Sequence, residues 1–228
     1  MQLQAMDSSH VSLCFLKLDK DAFDFYRCDQ PMTVSLSLPS LAKILKCASD
    51  DDSLTMKHKE DSDALQLMFE SKDQDKIMDF EMKLMDLDLE QLQIPDTEYK
   101  SVVKIDSSLF KRIVADLSAL GDSCVIAVKK DQVRFSTDGD VGKANIQLRA
   151  GTAADTKEDR KTDISCEEPS EQRFALRYLK FFAAATPLAE QVCLSLAKDI
   201  PLNVAYSFSG ASKISFYLAP KIDEDQAE

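Results

Sequence analysis

Apolar and polar residues alternate along many short segments of the chain, a period of two that predicts strands buried on one face. The segments with this pattern are 11–18, 22–28, 33–38, 54–58, 65–69, 76–84, 124–128, 132–136, 143–148, 162–166, 192–196, 202–208 and 213–218. Three other segments carry apolar residues at helical spacing and predict short helices at 40–48, 107–120 and 175–185. Ser107 and Ser108 are candidate caps of the second helix, and Pro187 is expected to end the third.

The predicted helices and strands form a repeat. Each helix is followed by a hairpin at the same distance along the chain, which indicates a duplicated supersecondary unit. One unit precedes the stretch LMDLDLEQLQIPDTEY (84–99) and two units follow it. The sequence therefore predicts an α+β protein with two similar domains of antiparallel sheet and short helices. These domains are expected at 1–83, with a helix and strand missing at its start, and at 101–228, joined by a connector at 84–100.

The connector alternates apolar and acidic residues up to Glu90 and then becomes extended, because Pro95 lacks an N–H group. Three apolar side chains lie in it among polar residues, those of Leu92, Ile94 and Tyr99. Two interpretations stay open. These side chains either attach a surface linker to the protein body or form the edge of an apolar groove for a partner.

Charge is distributed unevenly. The formal net charge is −12, so any contact with nucleic acid requires a local basic surface. The spans 40–48, 107–115 and 174–185 contain bases but no Asp or Glu, and these bases are Lys43, Lys46, Lys111, Arg112, Arg177 and Lys180. On a single helix they would be ordinary solvated side chains. Repeated on three helices, they indicate a surface that binds phosphate backbones without reading sequence.

The composition narrows the functional classes. Six cysteines are scattered without a C-x-x-C pair, which argues against a structural zinc site and favours a reduced, intracellular setting. No apolar run approaches the ~18–20 residues of a membrane helix, and the first residues lack the features of a secretory signal. The five glycines form none of the common nucleotide-binding motifs.

Specific motifs give the chain a family resemblance. They are LQAMDSSHVSL (3–13), FYRCDQ (25–30), LAKILKCA (41–48), EMKLMDLDLEQLQIP (81–95), FALRYLKFF (174–182) and YLAPKIDED (217–225). The chain resembles the eukaryotic sliding clamps of the proliferating cell nuclear antigen family from Met1 to its acidic tail, without the family's first strand, first helix and part of the next strand. The resemblance implies the DNA-clamp fold and a homotrimeric ring around duplex DNA, with helices inside and sheets outside.

The same resemblance implies a nuclear protein of DNA replication and repair that has no cofactor and no catalytic activity. It would tether DNA polymerases, the clamp loader, ligases and nucleases. Partners would insert a peptide of the form Q-x-x-(apolar)-x-x-(aromatic)(aromatic), the PIP-type motif, into a groove as a one-turn helical plug. The resemblance places this groove on Met6, His10, Val11, Leu13, Leu92, Ile94, Pro95, Tyr99, Pro201, Tyr217, Leu218, Ala219, Pro220 and Ile222, with Lys221 beside it.

The resemblance also implies a ring interface and a modification site. Strand 76–84 of one subunit would pair with strand 143–148 of the next, and the interface residues would be Cys47, Lys76, Phe80, Leu117, Leu120, Lys143 and Ile146. Lys130 matches the family's ubiquitin-acceptor lysine. Plainer interpretations stay open, with Lys130 an ordinary turn lysine, His10 a hydrogen-bonded loop histidine and Tyr217 a core residue.

Two other functions compete with the ring-forming clamp. The first is a clamp-like adaptor that binds partner peptides without closing on DNA. The second is a metal-dependent nuclease that uses the carboxylates of 50–52 or of Asp86 and Asp88. These acidic residues lie in a turn and on an alternating strand, and no His or Lys constellation accompanies them.

Overall fold

The fold is seen in a computed structural model that describes residues 1–59, 62–86, 97–151 and 162–222. The α-helices are α1 (Leu38–Leu45), α2 (Ser107–Ser118) and α3 (Leu176–Phe182). The strands are β1 (Gln2–Met6), β2 (Ser12–Lys17), β3 (Ser53–His58), β4 (Ala64–Glu70), β5 (Ile77–Lys83), β6 (Ser101–Asp106), β7 (Ser123–Lys129), β8 (Gln132–Gly139), β9 (Gly142–Arg149), β10 (Asp163–Cys166), β11 (Ser170–Ala175), β12 (Gln191–Leu196), β13 (Leu202–Phe208) and β14 (Ser212–Leu218).

The chain divides into two compact units. Unit 1 consists of Met1–Tyr26 and Leu92–Glu228, and unit 2 of Arg27–Gln91. Within the described residues, unit 1 holds a seven-stranded sheet in the order β1-β2-β14-β13-β12-β6-β10 and a four-stranded sheet in the order β11-β7-β8-β9. Unit 2 holds the three-stranded sheet β3-β4-β5. This division concerns packing, and the domain boundaries inferred from the repeat stay a prediction.

The predicted repeat is present as a helix followed by an antiparallel three-stranded meander. The three copies are α1 with β3-β4-β5, α2 with β7-β8-β9, and α3 with β12-β13-β14. The helices begin at Leu38, Ser107 and Leu176, at equal intervals along the chain. The sequence pattern therefore identified the architecture correctly, as antiparallel sheets with short helices.

One core serves both sheets of unit 1. Its strands alternate in burial, as in β8, where Val133, Phe135 and Thr137 are buried. Helix α2 adds Phe110 and Ile113 to the same cluster, and α3 adds further buried apolar residues. Since each such side chain contributes about 1.5–3 kcal/mol when fully buried, this cluster is the main source of stability in unit 1.

Unit 2 has a smaller core and more exposed apolar surface. Leu65, Leu67, Phe69 and Met82 are buried, but Leu54 and Met56 of β3 are 41 % and 37 % exposed. Both β3 residues pair with buried residues of β4 and so lie on the inward face. In unit 1, the corresponding residues of β7 are fully buried, because a second repeat belongs to the same core.

Several predicted boundaries were wrong. The cap of α2 is Asp106, whose Oδ1 accepts the Leu109 N–H at 2.9 Å, while the hydroxyl of Ser107 donates to the Glu190 carbonyl at 3.0 Å. Helix α3 ends at Phe182 and continues as a 3₁₀ segment, Ala183–Leu188. An α-helix would bring the ring of Pro187 against the carbonyl four residues earlier, so the chain changes to 3₁₀ geometry before the proline.

Some predicted strands do not form, and some observed strands were not predicted. No strand forms at 22–28, where the chain leaves a 3₁₀ segment (Lys20–Ala22) and bends, and 33–38 contributes only the single bridge from Ser35 to Met85. The second segment is cut short because Ser37 caps α1, accepting the Ser40 N–H at 3.4 Å. Strands β6 and β11, each of which runs directly into a helix, were not predicted.

Gly139, at the end of β8, provides a test of the packing between β8 and the turn after α2. A Cβ at this position would collide with the backbone carbonyl of Leu120 and would lie 2.8 Å from the Gly121 Cα. Backbone atoms cannot rotate away, so Gly139→Ala should lower the free energy of unfolding by about 2 kcal/mol or more in urea titrations followed by circular dichroism. Gly210→Ala is the control, because its Cβ would meet open space and only its φ of 64° costs about 1 kcal/mol. Equal losses in the two variants would contradict this packing.

Candidate functional site

Three of the predicted groove residues form a row across the seven-stranded sheet. Met6 of β1 lies opposite Leu13 of β2, and Leu13 lies opposite Tyr217 of β14. Because directly opposed residues of antiparallel strands lie on the same face, the three side chains are neighbours. Met6 is 39 % exposed, and the other two are half-buried. We call Met6, Leu13 and Tyr217 the groove row; together they form an apolar strip on the outward face of the sheet.

Tyr99 lies at the Tyr217 end of the groove row. Its hydroxyl donates to the carbonyl of Pro201, in the turn before β13, at 3.0 Å. Burial raises the pKa of Tyr99 to about 12, and the neighbouring Tyr217 adds to the increase. Burial likewise raises the pKa of Tyr217, while its hydrogen bond with Asn203 opposes the increase. The predicted residues Tyr99, Pro201 and Tyr217 are therefore close together, and the hydroxyls of the two tyrosines are protonated at neutral pH.

Asp7 organises the loop at the other end of the groove row. Its Oδ1 accepts the N–H groups of Val11 and Ser12, each at 2.8 Å, and its Oδ2 accepts the N–H of Ser9 at 3.3 Å and the hydroxyl of Tyr178 at 2.7 Å. These bonds, chiefly those from Ser12 and Tyr178, hold the pKa of Asp7 far below its usual range. His10 has a left-handed φ of 56°, within a turn closed by its N–H to the Asp7 carbonyl.

The end of β14 completes the described part of the predicted groove. The Ala219 N–H donates to the Val11 carbonyl at 3.0 Å, and the Lys221 N–H donates to the Arg173 carbonyl at 2.7 Å. Ala219 and Pro220 are half-buried, and Ile222 is 87 % exposed. Leu218 was predicted as a groove residue, but its side chain is fully buried in the core, because it faces inward on β14. It supports the groove only from beneath.

The connector residues Leu92, Ile94 and Pro95 lie outside the described residues. Their assignment to the groove edge therefore stays a prediction, as does the choice between a groove edge and a plain linker.

The predicted basic residues of α2 and α3 are all exposed, and the two helices contact each other. Arg112 Nε lies 3.8 Å from Asp116 Oδ2, since α2 extends past the acid-free span as far as this carboxylate. Arg177 lies over the ring of Tyr178, with its Cζ 4.8 Å from the ring centroid. Lys43 and Lys46 are exposed on or just after α1 in unit 2. All six side chains are accessible to a polyanion.

The two strands of the predicted ring interface lie at sheet edges. Within the described residues, β5 pairs only with β4, and β9 pairs only with β8. Cys47 and Lys76 are exposed, Leu120 and Ile146 are half-buried, and Lys143 Nζ is 2.7 Å from Asp138 Oδ2.

Two interface residues belong to hydrophobic cores. Leu117 is only 1 % exposed in the single chain and faces the core of unit 1 on α2, and its assignment to a subunit contact stays a prediction. Phe80 is half-buried and packs edge-on against Phe69, with ring centroids 5.6 Å apart. Lys130 is exposed in the turn between β7 and β8.

One of the acidic residues considered for metal chemistry, Asp52, has a local structural role. Asp52 Oδ2 accepts the Ser49 N–H at 2.9 Å and closes the turn after α1. Asp88 lies outside the described residues. In the described parts of the chain, no group of three or more His, Cys, Asp or Glu side chains could hold a metal ion. In the same parts, no helix is long and apolar enough to span a membrane.

Asp7 and Asn203 contact groove residues, and Tyr178 contacts Asp7, but none of the three was identified from the sequence. Asp7 had a usable signal, since an Asp followed by two serines after a strand is typical of an Asx turn. Tyr178 had none, because an aromatic residue at helical spacing predicts only a core position.

Comparison with protein families matches almost the whole chain. The model of the proliferating cell nuclear antigen N-terminal domain matches residues 1–92, and the model of the C-terminal domain matches residues 93–221.

Tyr99 gives a test of the geometry at this end of the groove. Tyr99→Phe keeps the ring but removes the donor to Pro201. Since the chain has five tyrosines and no tryptophan, tyrosinate absorbance reports their ionisation directly. In Tyr99→Phe, the absorbance step near pH 12 should lose the amplitude of about one tyrosine. Tyr206→Phe should produce the same loss, because the pKa of Tyr206 is also raised to about 12.

The pH dependence of stability follows from the raised pKa of Tyr99. Its contribution is fully present below the unfolded pKa of about 10 and is lost as the pH rises towards 12. If the tyrosinate absorbance step near pH 12 is unchanged in Tyr99→Phe, then Tyr99 is not buried against Pro201.

Proposed function

Because the chain belongs to the proliferating cell nuclear antigen family of sliding clamps, we propose that it encircles duplex DNA as a homotrimer and tethers partner proteins through the groove described above. The observation that carries this proposal is the groove row, which brings residues from both ends of the chain onto one face of one sheet. Partners would be DNA polymerases, the clamp loader, ligases and nucleases that carry PIP-type peptides.

The helices would face the DNA. The exposed bases Lys111, Arg112, Arg177 and Lys180 are suited to phosphate contacts, and their helices are too short for reading bases in a groove. Such contacts weaken with salt and are independent of sequence, so they guide the protein without holding it at one site. The protein would stay on DNA because the closed ring surrounds the duplex. The clamp would have no catalytic activity of its own.

The ring would close through head-to-tail pairing of β5 from one subunit with β9 of the next. Unpaired strand edges promote aggregation, and a repeating edge-to-edge contact removes them when the rotation closes a ring. Both edges are free within the described residues. The contact would involve Cys47, Lys76, Phe80, Leu120, Lys143 and Ile146. The corresponding homologous domains would be 1–83 and 101–228, with 84–100 as connector.

The same family membership supports a nuclear role in replication and repair. Lys130, exposed in a turn, is accessible to a conjugating enzyme and would be the ubiquitin acceptor.

A second candidate is an adaptor that binds partner peptides without closing on DNA. The exposed Leu54 and Met56 on the inward face of unit 2 favour it, because this unit has less buried apolar surface with which to support a ring contact. Light scattering at micromolar concentration separates the two. A mass near 25.5 kDa would favour the adaptor, and three times that mass would favour the ring.

Encirclement predicts that retention depends on DNA topology. After loading by a eukaryotic clamp loader with ATP, the protein should remain on closed circular DNA in high salt and should leave when the circle is cut. Release from intact circles, or retention on cut DNA, would contradict encirclement.

The phosphate contacts have a matched control within the chain. Lys111→Ala with Arg112→Ala should weaken low-salt binding to linear duplex and reduce the salt dependence of that binding. Lys129→Ala with Lys130→Ala changes the net charge by the same amount at the turn between β7 and β8. This pair should leave the low-salt binding and its salt dependence unchanged. Equal effects of the two pairs would show that only net charge matters.

Peptide docking predicts a loss of affinity from Met6→Glu. A carboxylate on the groove row would be desolvated under the peptide, so binding of a synthetic PIP-type peptide should weaken by about tenfold or more in calorimetry. Met32→Glu places the same charge on a residue that is also exposed but lies outside the groove, and it should bind normally. Normal binding by Met6→Glu would remove the groove row from the docking site.

A further inference from the structure

We propose that Tyr178 is a positioning residue of the partner groove, because its hydroxyl holds the carboxylate that shapes the groove-side loop. The inference rests on the proposed peptide-binding function. It adds a residue of α3 to those that shape the groove. Helix α3 packs on the core, whereas the groove row lies on the opposite, outward face of the seven-stranded sheet.

The first step is a hydrogen bond between distant parts of the chain. The hydroxyl of Tyr178 donates to Asp7 Oδ2 at 2.7 Å, across 171 residues of sequence. Tyr178 is only 8 % exposed, so its ring is held by the core of unit 1 while its hydroxyl reaches the loop after β1. A hydrogen bond to a carboxylate is stronger than one between neutral groups. The core therefore supplies a fixed donor for this loop.

The second step is the distribution of bonds around the carboxylate. While Oδ2 receives the Tyr178 hydroxyl, Oδ1 receives the N–H groups of Val11 and Ser12. Both oxygens are rigidly coupled, so the direction fixed at Oδ2 also fixes the acceptor at Oδ1. The backbone of Val11 and Ser12 is thereby held at a defined distance from α3.

The third step connects the loop to the groove. Met6, the exposed member of the groove row, immediately precedes Asp7. The carbonyl of Val11 accepts the Ala219 N–H at 3.0 Å, so the loop also fixes the chain after β14. His10 lies at the loop tip in a left-handed conformation that the turn imposes. The loop after β1 and the chain after β14, both of which carry predicted groove residues, are thus linked to one carboxylate.

Arg177 completes the connection on the opposite side. Its Nη2 donates to the Tyr178 hydroxyl oxygen at 3.3 Å, and its guanidinium lies over the ring. This arrangement leaves the hydroxyl proton free for Asp7, because the oxygen accepts from Arg177 while the O–H donates to the carboxylate. Arg177, one of the bases proposed to face DNA, therefore orients Tyr178, the residue that positions the loop.

The test compares two Tyr→Phe variants in the full chain. Tyr178→Phe keeps the ring in the core and removes the hydroxyl, which donates to Asp7 and accepts from Arg177. The affinity for a synthetic PIP-type peptide should fall by about five- to twentyfold. The amide protons of Val11 and Ser12 should exchange faster, while those of α3 should be unchanged. Tyr206→Phe removes another buried hydroxyl, on the inward face of β13, and should bind the peptide as the unmodified protein does.

Asp7→Asn provides a second variant, since a neutral amide is a weaker acceptor for the same donors, and it should also weaken peptide binding. If the unmodified protein does not bind the peptide, the proposed groove fails, and this inference fails with it. If the unmodified protein binds and Tyr178→Phe binds within twofold of it, the groove stands and the positioning role is overturned. Equal losses in Tyr178→Phe and Tyr206→Phe would also overturn it, because they would reflect general destabilisation.

Discussion

The antiparallel pairing of β2 with β14 is the constraint on which the candidate site depends. Six residue pairs, from Ser12–Leu218 to Lys17–Lys213, join the start of the chain to its last strand. A shift of one residue in this register would turn Leu13 and Tyr217 to opposite faces and break the groove row. The pairing also fixes where β2 begins, and so where Asp7 meets Tyr178. Sheet register thus determines both the apolar strip and the loop beside it.

Local patterns predicted the repeat well because its strands are half-buried and its helices are amphipathic. The predicted hairpins 54–58 with 65–69 and 192–196 with 202–208 correspond to β3–β4 and β12–β13 within a few residues. The pattern failed where tertiary context decides. Residues 22–28 alternate but find no partner strand among the described residues, whereas β11 pairs with β7 although the helix that follows obscures its signal. Periodicity describes which face of a segment is apolar, not which strand lies beside it.

The candidate site shows the same contrast between what local patterns predict and what tertiary context decides. Family resemblance supplied Met6, Leu13 and Tyr217, but no local property of these residues indicates that they form one row. The Tyr178–Asp7 contact could not be predicted either, because a buried hydroxyl is recognised only when its acceptor is known. Leu117 and Leu218 show the opposite case. Both are apolar residues beside functional segments, and only the burial of their own side chains shows that they serve the core.

The two units illustrate what one helix–meander repeat can and cannot do alone. In unit 1, two repeats share one core, and the inward face of β7 is fully covered. In unit 2, a single repeat buries only the residues of β4 and β5 that α1 can reach, so Leu54 and Met56 remain exposed. The repeat is therefore a half-domain in physical terms, because its sheet is wider than its own helix. The groove row, its loop and Tyr178 all belong to unit 1, so the proposed peptide docking would depend on the better-packed unit. The proposed ring closure through β5 would depend on the less well-packed one. The two parts of the proposed function would thus be separable in stability, with docking retained under conditions that abolish encirclement.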